Sequence, residues 1–205
     1  MWKSTTKRSC RPLDKDPLRE FVLWFRKASR QPRVKLPEAM CLSTVGRDGS
    51  PQGRMVLLKG VEKDGFLFYT NLNSPKAREL EENPKAALTF YWEPLRRQIR
   101  IQGRVERVDD AQADAYFATR SRLSQVGAWV SDQSQPLPSR LLLVRRVLSH
   151  LKRFGIGPVP RPPFWSGYRL VPNKIEFWHE RPNRLHDRQL YTRKGNRWER
   201  MLLYP

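Results

Sequence analysis

The densest polar chemistry of the chain lies near its end, in Ile175-Glu176-Phe177-Trp178 and, shortly after, Arg184-Leu185-His186-Asp187-Arg188. Arginine presents a planar, permanently charged fork that matches phosphate and carboxylate oxygens. Histidine donates, accepts or carries a proton near neutral pH. Tryptophan adds a flat apolar wall with one donor. These residue types at this spacing suit a pocket for a flat, heteroaromatic, anionic ligand. The competing reading is a solvated salt-bridge cluster at a strand end, the ordinary fate of a charged run.

Other groups could serve the same kind of ligand. Arg54 and Lys59 bracket an apolar strand, and their odd separation puts them on opposite faces of it; a twisted edge strand reaching into solvent would look the same. Tyr69-Thr70-Asn71 ends a strand, and Ser74-Pro75-Lys76 starts a helix whose N-terminus and lysine suit an anion. Simple capping by Ser74 is expected either way. Tyr116, Arg120 and Ser124 recur at steps of four, so an unbroken helix would gather them on one face toward a phosphate. An amphipathic helix surface is the alternative. Gln133-Ser134 sits in a polar loop and says little alone.

Several chemistries lack their signatures. No Gly-x-Gly-x-x-Gly or Walker loop occurs, His179-Glu180 has no second histidine at metalloprotease spacing, and no Gly-x-Ser-x-Gly elbow is present. Three histidines and two distant cysteines, Cys10 and Cys41, argue against a zinc site and a disulfide framework. No metal is expected. A reducing, cytoplasmic setting fits, with a weak organelle-targeting resemblance in the basic first residues. No apolar run approaches the ~20 residues of a membrane span. Forty Lys+Arg against twenty Asp+Glu give a net charge of +20, a field that draws anionic substrates or polyanions.

The elements that must position these residues can be read from period and punctuation. Residues 1–15 lack apolar periodicity and read as a mobile basic segment; 16–205 reads as a single domain. Asp16-Pro17 opens a helix. Strands follow at 40–45, 54–59 and 66–70, joined by the turns Asp48-Gly49 and Lys63-Asp64-Gly65. A short helix runs from Ser74 to Glu82, then strands at 86–92 and 98–108. Helices are expected at 109–119, 121–130 and 139–154, and strands at 168–171, 174–178, 189–193 and 198–203. In the helix 139–154, which has no acid, the stripe Leu141, Val144, Leu148 and Leu151 should pack on the body of the protein; an amphipathic contact with an anionic membrane or acidic partner is the other reading. The whole is an α+β, mainly β fold: an antiparallel meander closing toward a barrel, with peripheral helices.

Five blocks in order resemble the pyridoxine (pyridoxamine) 5′-phosphate oxidase family: Arg54–Lys59; Phe68–Leu72 with Ser74 and Lys76; Tyr91–Pro94 through Arg97-Gln98; Tyr116-Phe117 and Arg120 through Ser124–Ser131 and Gln133-Ser134; and Ile175–Trp178 with Arg184–Arg188. The resemblance covers nearly everything from Pro17 onward. It implies an FMN-binding split β-barrel that works as a homodimer, with FMN between the subunits. It assigns Arg54 and Lys76 to the FMN phosphate, and the strand residues Met55, Val56, Leu57, Leu58 and Lys59 to the cofactor site. Tyr69, Thr70, Gln98, Gln133, Ser134, Trp178 and Arg188 complete that site. Lys59, Tyr116, Arg120 and Ser124 would hold the substrate phosphate, and Arg184, Leu185 and His186 would meet the pyridine ring. Arg184 and His186 are the implied catalytic pair. The implied reaction moves a hydride from the 4′ carbon of pyridoxine or pyridoxamine 5′-phosphate to FMN, and O2 reoxidises the flavin to give hydrogen peroxide. A related flavin split-barrel enzyme for another flat anion, and a basic nucleic-acid-binding barrel, are the alternatives. Lys59, Tyr116, Arg120 and Ser124 together disfavour the first; the second lacks an aromatic-basic alternation on any strand. Departures from the family pattern are Pro75 in place of an arginine, Ser166-Gly167 in place of Gly-Gly, the ending Leu202–Pro205, and the acid-free helix.

Overall fold

Asp16 is the start signal for the first helix: its carboxylate accepts the Leu18 N–H at 2.9 Å, and Pro17 needs no such partner. The computed structural model describes residues 13–62 and 64–205. In chain order the elements are α1 (Pro17–Ser29), β1 (Ala39–Val45), β2 (Pro51–Leu57), β3 (Gly60–Val61), β4 (Phe66–Asn71), α2 (Pro75–Glu82), β5 (Lys85–Trp92), β6 (Arg97–Arg107), α3 (Asp110–Ala118), α4 (Arg122–Val130), α5 (Arg140–Phe154), β7 (Trp165–His179), β8 (Asp187–Lys194) and β9 (Arg197–Leu202). The strands form one antiparallel sheet in the order β2-β1-β5-β6-β7-β4-β3, with β8 and β9 continuing from β7.

β7 makes the barrel a split one. One edge pairs with β6 from Tyr168 to His179. The other edge is divided: Trp165–Leu170 pairs with β4, and Lys174–His179 pairs with β8. The ladder with β6 slips between Gln102 and Gly103, where a Cβ on Gly103 would collide with the Val171 carbonyl. Glycine there lets the sheet bend. Inward-facing side chains at alternate positions fill the barrel, among them Met40, Leu42, Phe68, Phe90, Ile101 and Phe177. α1 closes it with Phe21, fully buried and edge-on to Phe66 and Phe90 at 4.9 and 5.1 Å. A ring so buried contributes roughly 1.5–3 kcal/mol.

Four expectations change. The strands foreseen at 168–171 and 174–178 are one 15-residue strand, because its partner β6 runs unbroken past the bend. β2 ends at Leu57, so Lys59 lies in the β2–β3 connection, its N–H donating to the Leu67 carbonyl at 2.8 Å. Ser74 does not cap α2 with its side chain; its hydroxyl donates back to the Asn71 carbonyl at 2.7 Å. The helices expected at 109–119 and 121–130 are present as α3 and α4, and because Ser121 starts α4, Tyr116, Arg120 and Ser124 do not share one unbroken helix. On α5 the packed stripe is Leu143, Val147, Leu151 and Phe154, in one cluster with Trp129, while Leu141, Val144 and Leu148 face outward. Of the segment read as mobile, residues 1–12 lie outside the described residues, as do Cys10 and Lys63. Asp14 is held by Tyr191, whose hydroxyl donates to its carbonyl at 2.7 Å. Among the described residues no helix is long and apolar enough to cross a membrane, and no group of side chains could hold a metal ion.

Candidate functional site

Eleven of the residues singled out above converge on one cavity of about 440 Å3: Met55, Val56, Leu57, Lys59, Tyr69, Thr70, Lys76, Tyr116, Arg120, Ser124 and Gln133. The end of β4, the N-terminus of α2, the α3–α4 corner and the start of β7 meet there. Tyr69, Tyr116 and Trp165 stack nearly parallel, with centroids 4.0 Å apart for the two tyrosines and 5.3 Å for Tyr69 and Trp165. A Cβ on Gly167 would sit 2.6 Å from the Tyr69 ring, so this stack requires glycine at that position. Arg161 ties α3 to the start of β7: it grips Asp110 at 2.9 Å and Asp114 at 2.5 Å and donates to the Trp165 carbonyl at 2.8 Å. The helix break therefore does not scatter Tyr116, Arg120 and Ser124; all three still line the cavity.

Two cationic groups enter this space. Lys76 is 8% exposed, and its Nζ donates to Gln133 at 2.9 Å and Thr70 at 3.3 Å. Burial pushes its pKa down, the charge of Arg54 adds to the effect, and Glu79 opposes it. Arg54 stands behind it, paired with Glu79 at 3.0 Å and donating to Thr44. The second group is Lys59 and Arg120. The Arg120 guanidinium lies 4.8 Å over the Trp165 ring, and its buried Nη1 meets no acceptor among the described residues. Burial lowers its pKa. A buried donor without a partner is costly, and an anion in the cavity would satisfy it. Leu58 turns into the barrel core instead, and Ser134, at φ 68°, stays exposed beside Gln133.

The remaining candidates form a second constellation at the far end of β7. Gln98, Trp178 and Arg188 are register partners across β6, β7 and β8. Their neighbour Glu176 is buried and bridges Arg188 at 2.8 Å and Arg100 at 3.3 Å, which fixes the Arg188 fork. The following turn carries Arg184, Leu185 and His186. Asn183 and Arg184 both hold left-handed backbone, at φ 58° and 60°, a strained pair that persists only where surroundings enforce it. Arg181 does so: it pairs with Asp187 at 2.6 Å, and its N–H donates to His186 Nδ1 at 3.2 Å. His186 packs on Trp178 at 4.7 Å. Asp187 thus serves the turn.

A family model described as pyridoxamine 5′-phosphate oxidase matches residues 27–149, and one described as the pyridoxine 5′-phosphate oxidase C-terminal dimerisation region matches 165–205. The chain belongs to the pyridoxamine 5′-phosphate oxidase family. It is 54% identical over 192 residues to a pyridoxine/pyridoxamine 5′-phosphate oxidase of Azorhizobium caulinodans, covering 93% of this chain and 90% of that protein. The like-named protein of Myxococcus xanthus is 53% identical over 190 residues, with 93% and 92% covered. A solved structure of PhzG from Burkholderia lata, in complex with tetrahydrophenazine-1-carboxylic acid, superposes with a TM-score of 0.88 at 32% identity over 94% of both chains.

Residues given no site role in the sequence reading include Trp165, Asn71 and Ser131 in the cavity wall, Glu79 behind Arg54, and Arg181 beneath the turn. Asn71 and Ser131 lay within the matching blocks, and Trp165 left a trace as an aromatic directly before Ser166-Gly167; Glu79 and Arg181 left none. Pro75 occupies the first position of α2, directly before Lys76.

Proposed function

We propose that the protein is an FMN-dependent oxidase converting pyridoxine or pyridoxamine 5′-phosphate to pyridoxal 5′-phosphate. The observation that carries this reading is the cavity with two separate cationic groups around an aromatic stack, one of them with an unsatisfied buried donor. A cofactor phosphate and a substrate phosphate need two such grips. Lys76 and Arg54 would hold the FMN phosphate, with Thr70 and Gln133 fixing the lysine. Tyr69, the β2 residues Met55–Leu57, Gln98, Trp178 and Arg188 would enclose the flavin. Bound FMN supplies the redox chemistry, accepting a hydride from the substrate's 4′ carbon and passing electrons to O2 to give hydrogen peroxide.

The chain's own part is binding and orientation. Arg120, Lys59, Tyr116 and Ser124 would grip the substrate phosphate, and that remote binding energy aligns the reacting carbon. Arg184 would anchor a ring oxygen. Because Nδ1 of His186 accepts the Arg181 N–H, Nε2 carries the proton of the neutral ring. Nε2 is then the atom that can donate to the reacting group.

One chain does not bring these halves together. Twelve residues of strand separate Trp165 from Trp178, roughly 40 Å of extended path, and none of Gln98, Trp178, Arg184, His186 or Arg188 lines the cavity. The outer sheet face bearing Tyr91 and Met55 is exposed, at 55% and 65%. We take the working form to be a homodimer in which the Trp178–Arg188 constellation of one subunit completes the cavity of the other, and place it in the cytoplasm. Residues 16–205 act as one unit in this reading. PhzG holds a flat anion of different chemistry; the Lys59, Tyr116, Arg120 and Ser124 set favours a phosphorylated substrate here.

The deciding experiment is anaerobic. The purified protein should be yellow, and pyridoxamine 5′-phosphate should bleach it. A colourless protein that cannot take up FMN would sink the proposal. A pH dependence follows from Lys76. It grips a phosphate only when protonated, and burial has lowered its pKa, so FMN affinity is full below that pKa and declines as pH rises through it, beginning below the ~10.4 of an ordinary lysine. The flavin-free protein changes oppositely, gaining stability there, because the unfolded chain binds more protons. Flavin fluorescence on release against pH measures the first, and chemical unfolding of the flavin-free protein the second.

A further inference from the structure

α5 carries five basic residues and no acidic one. Two of these cations are engaged: Arg146 pairs with Asp132 at 2.6 Å, and Arg153 lies over the Trp129 ring at 5.7 Å. Arg140, Arg145 and Lys152 make no ion pair among the described residues and are exposed. The stripe Leu143, Val147, Leu151 and Phe154 satisfies the helix's packing on Trp129. A neighbouring, outward face nevertheless carries Leu141, Val144 and Leu148 at 58%, 52% and 61% exposure. Spaced by three and four residues, they form one continuous apolar ridge. Arg145 and Lys152 each follow a ridge leucine by four residues, so the cations flank the ridge.

We infer that this face of α5 rests on an anionic membrane surface, its aliphatic ridge in the headgroup boundary and Arg140, Arg145 and Lys152 on lipid phosphates. An apolar ridge with cationic flanks is the pattern of helices that lie in that interface. A nucleic acid would be served by charge alone and gives no reason for three exposed aliphatic side chains amid the cations. The ridge is convex, whereas a folded acidic partner needs a groove or pocket to seat a helix. A second copy of the chain covering the ridge is the outcome that protection of α5 without vesicles would reveal. The inference is independent of the reaction catalysed.

The test is flotation of the full-length, flavin-loaded protein at physiological salt with vesicles of equal parts phosphatidylglycerol and phosphatidylcholine, or of phosphatidylcholine alone. The protein should float with the anionic vesicles only. The triple change Leu141→Ser, Val144→Ser and Leu148→Ser, which leaves net charge intact, should lower the bound fraction about tenfold while flavin content and turnover stay at the parent level. The pair Arg145→Glu and Lys152→Glu should do the same. Hydrogen exchange should show α5 amides protected only when anionic vesicles are present. Flotation of the triple serine variant equal to the parent overturns the inference, because overall charge would then explain binding. So does absence of flotation, or protection of α5 without vesicles, which would mean that protein already covers the ridge.

Discussion

Replacing Arg120 with methionine is expected to lower kcat/KM for pyridoxamine 5′-phosphate roughly 30- to 900-fold, mostly through KM, with bound flavin unchanged. Methionine keeps an apolar contact with the Trp165 ring, over which the guanidinium now lies at 4.8 Å, so packing is largely preserved. What disappears is a set of charged donors in a partly desolvated place. Nη1 of Arg120 is buried with no acceptor among the described residues, and the cavity is the side from which one can come. Losing one member of such a charge pair costs about 2–4 kcal/mol, the range quoted above. Arg120→Lys should recover part of it, since lysine restores charge but not the planar fork. Steady-state kinetics and flavin absorbance distinguish the outcomes. A variant that loses FMN while keeping its KM would move Arg120 to the cofactor phosphate, and one unchanged in both would remove Arg120 from the site.

The same residue shows how much was legible beforehand. The four-residue spacing of Tyr116, Arg120 and Ser124 pointed to a shared purpose, but for a reason that does not hold, since the helix breaks between them. They converge because Arg161 clamps α3 to β7 and because Gln125 donates from α4 to the Phe117 carbonyl at 3.0 Å. Tertiary clamps of this kind have no period and cannot be read along a chain. Strand positions and hairpin turns were legible from alternation and turn residues; the strand order, in which β1 pairs with β5 and β4 with β7, was not, nor was the continuity of β7, since Pro172-Asn173 reads as a break. Likewise Leu141, Val144 and Leu148 have the spacing of a packed stripe, and α5 happens to own two such stripes. Arg181 was invisible as a support for His186 because it acts through its backbone N–H, which every residue but proline offers.

Mixing two inactive variants is expected to restore about a quarter of the wild-type activity. Lys76→Met removes a cation from the cavity and Arg184→Ala removes the fork from the turn beyond Trp178; each homodimer should lose about 100-fold or more in turnover or flavin occupancy. In the homodimer proposed here, every site takes Lys76 from one subunit and Arg184 from the other. A mixed dimer then has one site with both changes and one with neither. Random association makes half of the dimers mixed, and half of their sites are intact, hence about a quarter of the activity. Had Lys76 and Arg184 belonged to the same subunit's site, every site in every dimer would carry a change and mixing would restore nothing. Co-expression with two purification tags isolates the mixed dimer, whose activity should approach one half. This separates a shared site from a merely dimeric protein, because simple dimerisation predicts no recovery. The division of β7 between β4 and β8 is the structural reason to expect recovery: it holds the two halves of the chemistry at opposite ends of one strand, where only another copy can join them.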